Sequence, residues 1–173
     1  GFLVDVAGPS ALLRRLDDMA SDLTAAVFPD ELPLAPGHGD FVANNVFTGQ
    51  ASRITGFDPL PLWQVPRYQD LATLAVGIRI LPLQAATQGL ALPREQLDRY
   101  EGALLDGYFA SDDVPLRAVR AYQLLVLLDR WADLVSKQVH GGAARRRLRD
   151  ARVRLATRHC HSEADRLLSQ LTD

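Results

Sequence analysis

Proline placement constrains this chain more than any other feature. Six of its ten prolines lie between residues 29 and 66, at positions 29, 33, 36, 59, 61 and 66, and only three follow. Proline removes a backbone donor and clashes with the preceding helical turn, so no long helix can cross that window. Pro93 and Pro115, by contrast, stand where proline is tolerated, at helix starts. The pattern predicts an irregular segment followed by a helical half.

Apolar spacing fills in the elements. Ser10 can cap a helix carrying Leu12, Leu13, Leu16, Met19, Leu23, Ala26 and Val27, which Pro29 and Pro33 end. The strand-like pieces 45–47 and 53–57 flank Thr48-Gly49-Gln50-Ala51-Ser52 and predict one β-hairpin. Prolines 59, 61 and 66 predict irregular chain as far as Asp70, which is placed to cap a helix bearing Leu71, Leu74, Ala75, Ile78 and Leu81. Another helix follows Pro93, with Leu97, Tyr100, Leu104, Leu105 and Tyr108 on it, and one follows Pro115, with Val119, Tyr122, Leu125 and Leu128. Gly141-Gly142 breaks the chain before a final helix from about Ala143 to Leu171. The expected fold class is mainly α, a helical bundle with one short β-hairpin, in a single domain spanning residues 1–173.

Composition narrows the class. With 47% hydrophobic and 23% charged residues the chain is not of disordered type. Its single cysteine, Cys160, excludes an internal disulfide framework and suits a reducing compartment. The longest apolar run, Leu124 to Leu128, is far short of the roughly 18–20 residues a membrane-spanning helix needs. No basic leader precedes an apolar stretch. The expectation is a cytoplasmic protein without a membrane partner. The net charge of −2 hides an asymmetry: residues 1–136 carry ten basic and seventeen acidic side chains, and residues 137–173 carry nine basic and four acidic.

Chemistry concentrates in His38-Gly39-Asp40-Phe41-Val42-Ala43-Asn44-Asn45 and, after the hairpin, Gly56-Phe57-Asp58. A carboxylate on a loop, five residues ahead of an amide on the first strand, presents one general base and one neutral oxygen ligand. The second strand returns Asp58 to the same end of the hairpin, where it can join Asn45 around one cation. Magnesium takes carboxylate and carbonyl oxygens together with phosphate and water, and needs only one or two protein carboxylates. Asp40 is then free to orient a substrate hydroxyl and accept its proton. Alone, Asp40 beside glycine and the Asn44-Asn45 pair also fit ordinary turns; it is the addition of Asp58 and the hairpin that favours a site.

The spacing His-x-Asp-x-x-x-x-Asn is that of a protein-kinase catalytic loop, and a metal-binding Asp after a short hairpin repeats the kinase order. Here Gly39 follows the histidine, and Pro59 follows Asp58 where kinases have Phe-Gly. At these residues the sequence resembles the aminoglycoside phosphotransferase and choline kinase-like family, whose kinase-like fold bears a His-Gly-Asp loop. Pro66-Arg67-Tyr68-Gln69-Asp70-Leu71-Ala72 also looks like that family's segment ahead of a buried helix. The resemblance covers about residues 36–75.

The resemblance implies a kinase-like C-terminal lobe with the catalytic loop and hairpin at 36–58 and a helical substrate side at about 90–173. It implies Asp40 as catalytic base, Asn45 and Asp58 as the magnesium ligands that bind the nucleotide's phosphates through the metal, and His38 and Asp70 as supports of the loop. It also implies Mg2+ and ATP, or another nucleoside triphosphate, as cofactors and a small-molecule hydroxyl as acceptor. Such enzymes bind nucleotide under a smaller lobe with a phosphate-covering loop and a lysine. No Gly-rich loop is visible and Lys137 is the only lysine, so the N-terminal β lobe is expected to be absent from these residues and supplied in cis by a longer enzyme. The chain by itself should transfer phosphate poorly. The competing expectation is a non-catalytic interaction module, in which an exposed cleft side favours a homodimer.

Two further clusters invite other readings. Arg145, Arg146, Arg147, Arg149, Arg152, Arg154 and Arg158 could meet nucleic-acid phosphates, but Leu148, Ala151 and Leu155 lie at helical spacing among them, which describes an amphipathic helix with a solvated arginine face. No nucleic-acid partner is expected. His159-Cys160-His161 suggests zinc, yet neighbours on a helix point about 100° apart and no second ligand pair exists. Cys160 reads as a small buried hydrophobe. Trp63 and Trp131 read as core. The acidic balance of residues 1–136 would suit a cationic acceptor.

Overall fold

Helices dominate the computed structural model, which describes residues 33–50, 53–60, 64–110, 112–136 and 142–172. They are α1 (Gln69–Arg79), α2 (Pro82–Thr87), α3 (Arg94–Phe109), α4 (Leu116–Ser136) and α5 (Ala143–Thr172). The helix expected from Ser10 to Val27, Trp63 and Lys137 lie outside the described residues. Pro93 and Pro115 stand just ahead of α3 and α4, as their fixed φ and missing donor favour. Pro82 plays the same part at the start of α2.

Three features differ from the sequence expectations. First, among the described residues there are two small antiparallel sheets, not one hairpin. Strands β1 (Leu34–Pro36) and β4 (Gln64–Pro66) pair with Ala35 opposite Val65. The expected hairpin forms from β2 (Val46–Thr48) and β3 (Ile54–Gly56), with Phe47 opposite Thr55. Both strands of a two-stranded ladder are edges, and edges are where proline is tolerated in a sheet; that is how a segment dense in prolines still pairs. Second, α2 was not expected. It is only 6 residues long, and its buried Gln84 amide exchanges two hydrogen bonds with the backbone of Leu92, donating at 3.1 Å and accepting at 2.7 Å. Third, Asp70 does not cap α1. The cap position is Tyr68, without a side-chain bond, and the Asp70 carboxylate is turned to the loop described below.

The core lies along α4 and α5. Val76 of α1 joins Leu124, Leu127 and Trp131 of α4 and Ala164, Leu167 and Leu168 of α5 in one buried cluster. Trp131 is fully buried, donates from Nε1 to Thr157 Oγ1 at 3.3 Å and meets the His161 ring edge-on at 4.6 Å. A second cluster of Leu71, Leu105, Phe109 and Val119 fastens α3 to α1 and α4. His159 turns the other way from His161 and donates from Nε2 to the carbonyl of Arg79 at 2.8 Å. Cys160 between them is buried, and that burial, seconded by the Glu163 charge, pushes its thiol up to about 12. It is therefore a packing residue with no thiolate near neutral pH. Arg145, Arg147, Arg152, Arg154 and Arg158 lie on the exposed face of α5.

Between α1, α3, α4 and α5 sits a buried group of charges. Arg79 is 4% exposed and donates to Glu101 Oε2 from Nε at 3.1 Å and from Nη2 at 2.6 Å. It also pairs with Asp98 and lies 3.8 Å from Glu163. Arg120 pairs with the other oxygen of Glu101, which Gln123 reaches at 2.6 Å, while Arg166 donates to Glu163 at 2.9 Å. Three guanidiniums thus face three carboxylates. Burial, then repulsion from Arg166 and Arg79, brings Arg120 down to about 10. Among the described residues, no helix is long and apolar enough to cross a membrane.

Candidate active site

The loop ahead of β2 is built around glycines that its neighbours require. A Cβ on Gly37 would stand 2.1 Å from Val65 Cγ2 and 2.9 Å from Asp70 Oδ2. Gly39 has φ +81, a conformation that L side chains rarely adopt, and a Cβ there would also meet Leu60 Cδ1 at 2.9 Å. These two positions let the chain pass tightly over β4 and α1.

His38, between them, is tied in three directions. Its backbone N–H donates to Asp70 Oδ2 at 2.5 Å, and the next N–H, of Gly39, donates to Asp70 Oδ1 at 3.1 Å. Its carbonyl accepts from the Leu60 N–H at 2.9 Å, and its Nε2 donates to the carbonyl of Phe57 at 2.8 Å. One carboxylate on α1 therefore holds the start of the loop, and one histidine holds the exit of the hairpin on both sides of Asp58. The imidazole is engaged as a tether from Nε2, a bond that fixes that nitrogen as the protonated one.

Asp70→Ala removes a charged acceptor from two half-buried backbone donors. The expected cost is about 1.5–3 kcal/mol, read as a lower urea midpoint at unchanged slope. A change under about 0.5 kcal/mol would show that water replaces the brace.

Asp40 and Asn45 meet directly. Asn45 Nδ2 donates to the Asp40 carbonyl at 2.9 Å and lies 3.4 Å from Asp40 Oδ2. The Asn45 carbonyl accepts from the Phe57 N–H at 3.1 Å, so the register that pairs Val46 with Gly56 continues one step toward Asp58. Asp58 itself is exposed with φ 61, in the left-handed region that aspartate tolerates better than most residues. The loop and the hairpin exit thus bring Asp40, Asn45 and Asp58 to one end of the hairpin, with His38 and Asp70 beneath them.

The donor set suits a hard cation. With the Asn45 NH2 directed to Asp40, Oδ1 is the Asn45 side-chain atom that could serve a cation, and Asp58 adds one exposed carboxylate. Among the described residues no three His, Cys, Asp or Glu side chains gather as a metal-holding group. A magnesium ion held here would complete its shell with phosphate and water, the usual arrangement for that ion.

Arg130, in the middle of α4, was not anticipated as a site residue. Its Nη2 donates to Asp40 Oδ1 at 3.1 Å, with both side chains a little over two-fifths exposed. Nothing in local sequence links positions 40 and 130. The one available signal is the charge that interrupts the apolar run ending at Leu128. Arg130 also lines a cleft of about 700 Å3 between the end of α1, α2, α4 and α5. Comparisons with protein-family models, with curated proteins and with solved structures give no match to this chain.

Proposed function

We propose that this chain is the C-terminal lobe of a kinase-like small-molecule phosphotransferase, of the aminoglycoside phosphotransferase and choline kinase type. It would serve transfer of the γ-phosphoryl group of ATP, or another nucleoside triphosphate, to an acceptor hydroxyl. The observation that carries this reading is the tether at His38, which binds the loop bearing Asp40 and Asn45 to the hairpin exit bearing Asp58. Phosphoryl transfer asks a protein mainly for positioning and charge stabilisation, and a tether of that kind supplies positioning.

In this reading Asp40 receives the acceptor's hydroxyl proton. Asn45 steadies the Asp40 loop from below and Arg130 steadies the carboxylate from α4. Asn45 Oδ1 and the Asp58 carboxylate would hold the magnesium, whose charge, when bound, neutralises the phosphate oxygens. The phosphate-covering loop and its lysine would come from another lobe of a longer enzyme, and this chain alone would turn over poorly. A cytoplasmic location fits a nucleotide-dependent enzyme.

A metal titration tests the site without requiring turnover. Manganese(II) should selectively broaden the backbone NMR signals around Asn45 and Asp58, and Asp58→Asn should abolish that selectivity. Uniform broadening, or none, would remove the cation site and the reading with it. The second reading, an interaction module, draws on the exposed apolar side chains of the hairpin, Phe47 at 65% and Ile54 at 69% exposure. It predicts no selective manganese effect, so the same titration separates the two.

A further inference from the structure

We infer that the cleft between α1, α2, α4 and α5 is the acceptor site, and that it takes an apolar-bodied small molecule, neutral or anionic, rather than a polycation. The inference deepens the phosphotransfer reading and rests on it for the acceptor's role. The cleft's volume of about 700 Å3 falls within the 300–1,000 Å3 common for small-ligand sites. Its wall is mostly hydrocarbon, from Ile80, Leu83, Leu134 and Leu155 together with small alanines on α2 and α5.

The charged groups on that wall are Arg130, which is already paired with Asp40, together with Asp133 and Arg152. Asp133 is already engaged by a partner. Arg152 is exposed and forms no ion pair among the described residues. His159 presents a ring whose Nε2 is spent on the Arg79 carbonyl. With Arg130 and Asp133 each engaged, the charge left to meet a ligand on this wall is the Arg152 cation, which disfavours a body carrying several ammonium groups, although residues 1–136 are acidic overall. Charge complementarity therefore selects an apolar body, with any charge on it negative.

Continuity with the proposed chemistry comes through Arg130. Arg130 lines the cleft, and its Nη2 lies 3.1 Å from Asp40 Oδ1. An acceptor seated in the cleft with a hydroxyl beside Arg130 lies next to the proposed base. Its apolar body would be held by α2 and α5, so α2, the shortest of the described α-helices, shapes specificity.

The test uses the chain itself with 8-anilinonaphthalene-1-sulfonate, an apolar ring system bearing one negative charge. Its fluorescence should rise with saturable binding at one site. Ala156→Trp, which fills the cleft, and Arg152→Glu, which reverses an exposed charge at its wall, should each weaken binding about tenfold or more. Arg145→Glu, elsewhere on the exposed face of α5, should leave binding within twofold, and spermine should not compete. Binding that ignores both cleft variants, or displacement by spermine, overturns the inference. Arg152→Glu lies at an exposed position, so it decides the matter if Ala156→Trp fails to fold. The manganese response is read in parallel. A normal response at the hairpin with no cleft binding sinks the cleft alone. Cleft binding with no response at the hairpin sinks the phosphotransfer reading and the acceptor role with it.

Discussion

Replacing Glu101 with alanine is expected to lower the unfolding free energy by about 3–5 kcal/mol, the range for removing one member of a buried charge group. The size follows from what is left behind. Arg79 is buried and directs two nitrogens at Glu101, and Arg120 and Gln123 share its other oxygen. Without the carboxylate, the three guanidiniums of Arg79, Arg120 and Arg166 are left with Asp98 and Glu163 alone to balance them. Burial and mutual repulsion already bring Arg120 down to about 10. Asp98→Ala provides the internal contrast, because that side chain is 51% exposed and water can take its place at Arg79. Its effect should stay near the 0–1 kcal/mol of an exposed pair. Urea unfolding of the two variants measures the difference, and equal losses would show that the charges act as a diffuse set with no centre at Glu101.

Under the proposed phosphotransfer function, Asp40→Asn in the full-length protein is expected to lower kcat by about 10²–10⁴, the usual contribution of a general base, with KM for nucleotide and acceptor nearly unchanged. The isosteric amide retains an oxygen for Arg130 and keeps the loop's backbone bonds, so geometry survives while the proton acceptor is lost. Stability should barely move, because the Arg130–Asp40 pair is 42% and 44% exposed and pairs of that kind contribute about 0–1 kcal/mol. The separation of a large kinetic effect from a small thermodynamic one is the diagnostic. A variant that keeps full kcat would remove Asp40 from the chemistry, and one that unfolds would make it a structural residue.

Much of the helical fold was legible because two prolines mark the starts of α3 and α4 and apolar residues recur at helical spacing behind them. The expected hairpin was legible to within one residue, since a small polar loop separates two short β-prone runs. The β1–β4 pair was not, because its strands are three residues long, pair across about 30 residues of sequence and end in prolines. The helix α2 left little trace because six residues hold too few turns for periodicity, and its anchor is a polar Gln84 amide bonded to the Leu92 backbone eight residues on. Residue types and order pointed to Asp40, Asn45 and Asp58, and the structure brings them to one end of the hairpin. The cap expected from Asp70 does not form, since a carboxylate near a helix start reads as a cap whether it bonds its own helix or a loop 31 residues earlier; the loop support implied by the resemblance is where its bonds go. The buried charges had a readable sign: Glu101 shares a helical face with Leu97 and Leu105, where an apolar residue is the rule.

The smallness of the two sheets has a consequence for heat. Strands of three residues in isolated pairs are marginal by themselves, so the candidate site is held by a few side-chain tethers while the helices share an extensive core. Local opening of the hairpin should then precede global melting. On warming, protease cleavage within residues 46–56 should begin several degrees below the loss of helical circular dichroism, and simultaneous onset would mean the tethers bind the hairpin into the same cooperative unit. An enzyme built this way would lose its catalytic geometry while its scaffold was still intact, and would regain it on cooling without having to refold.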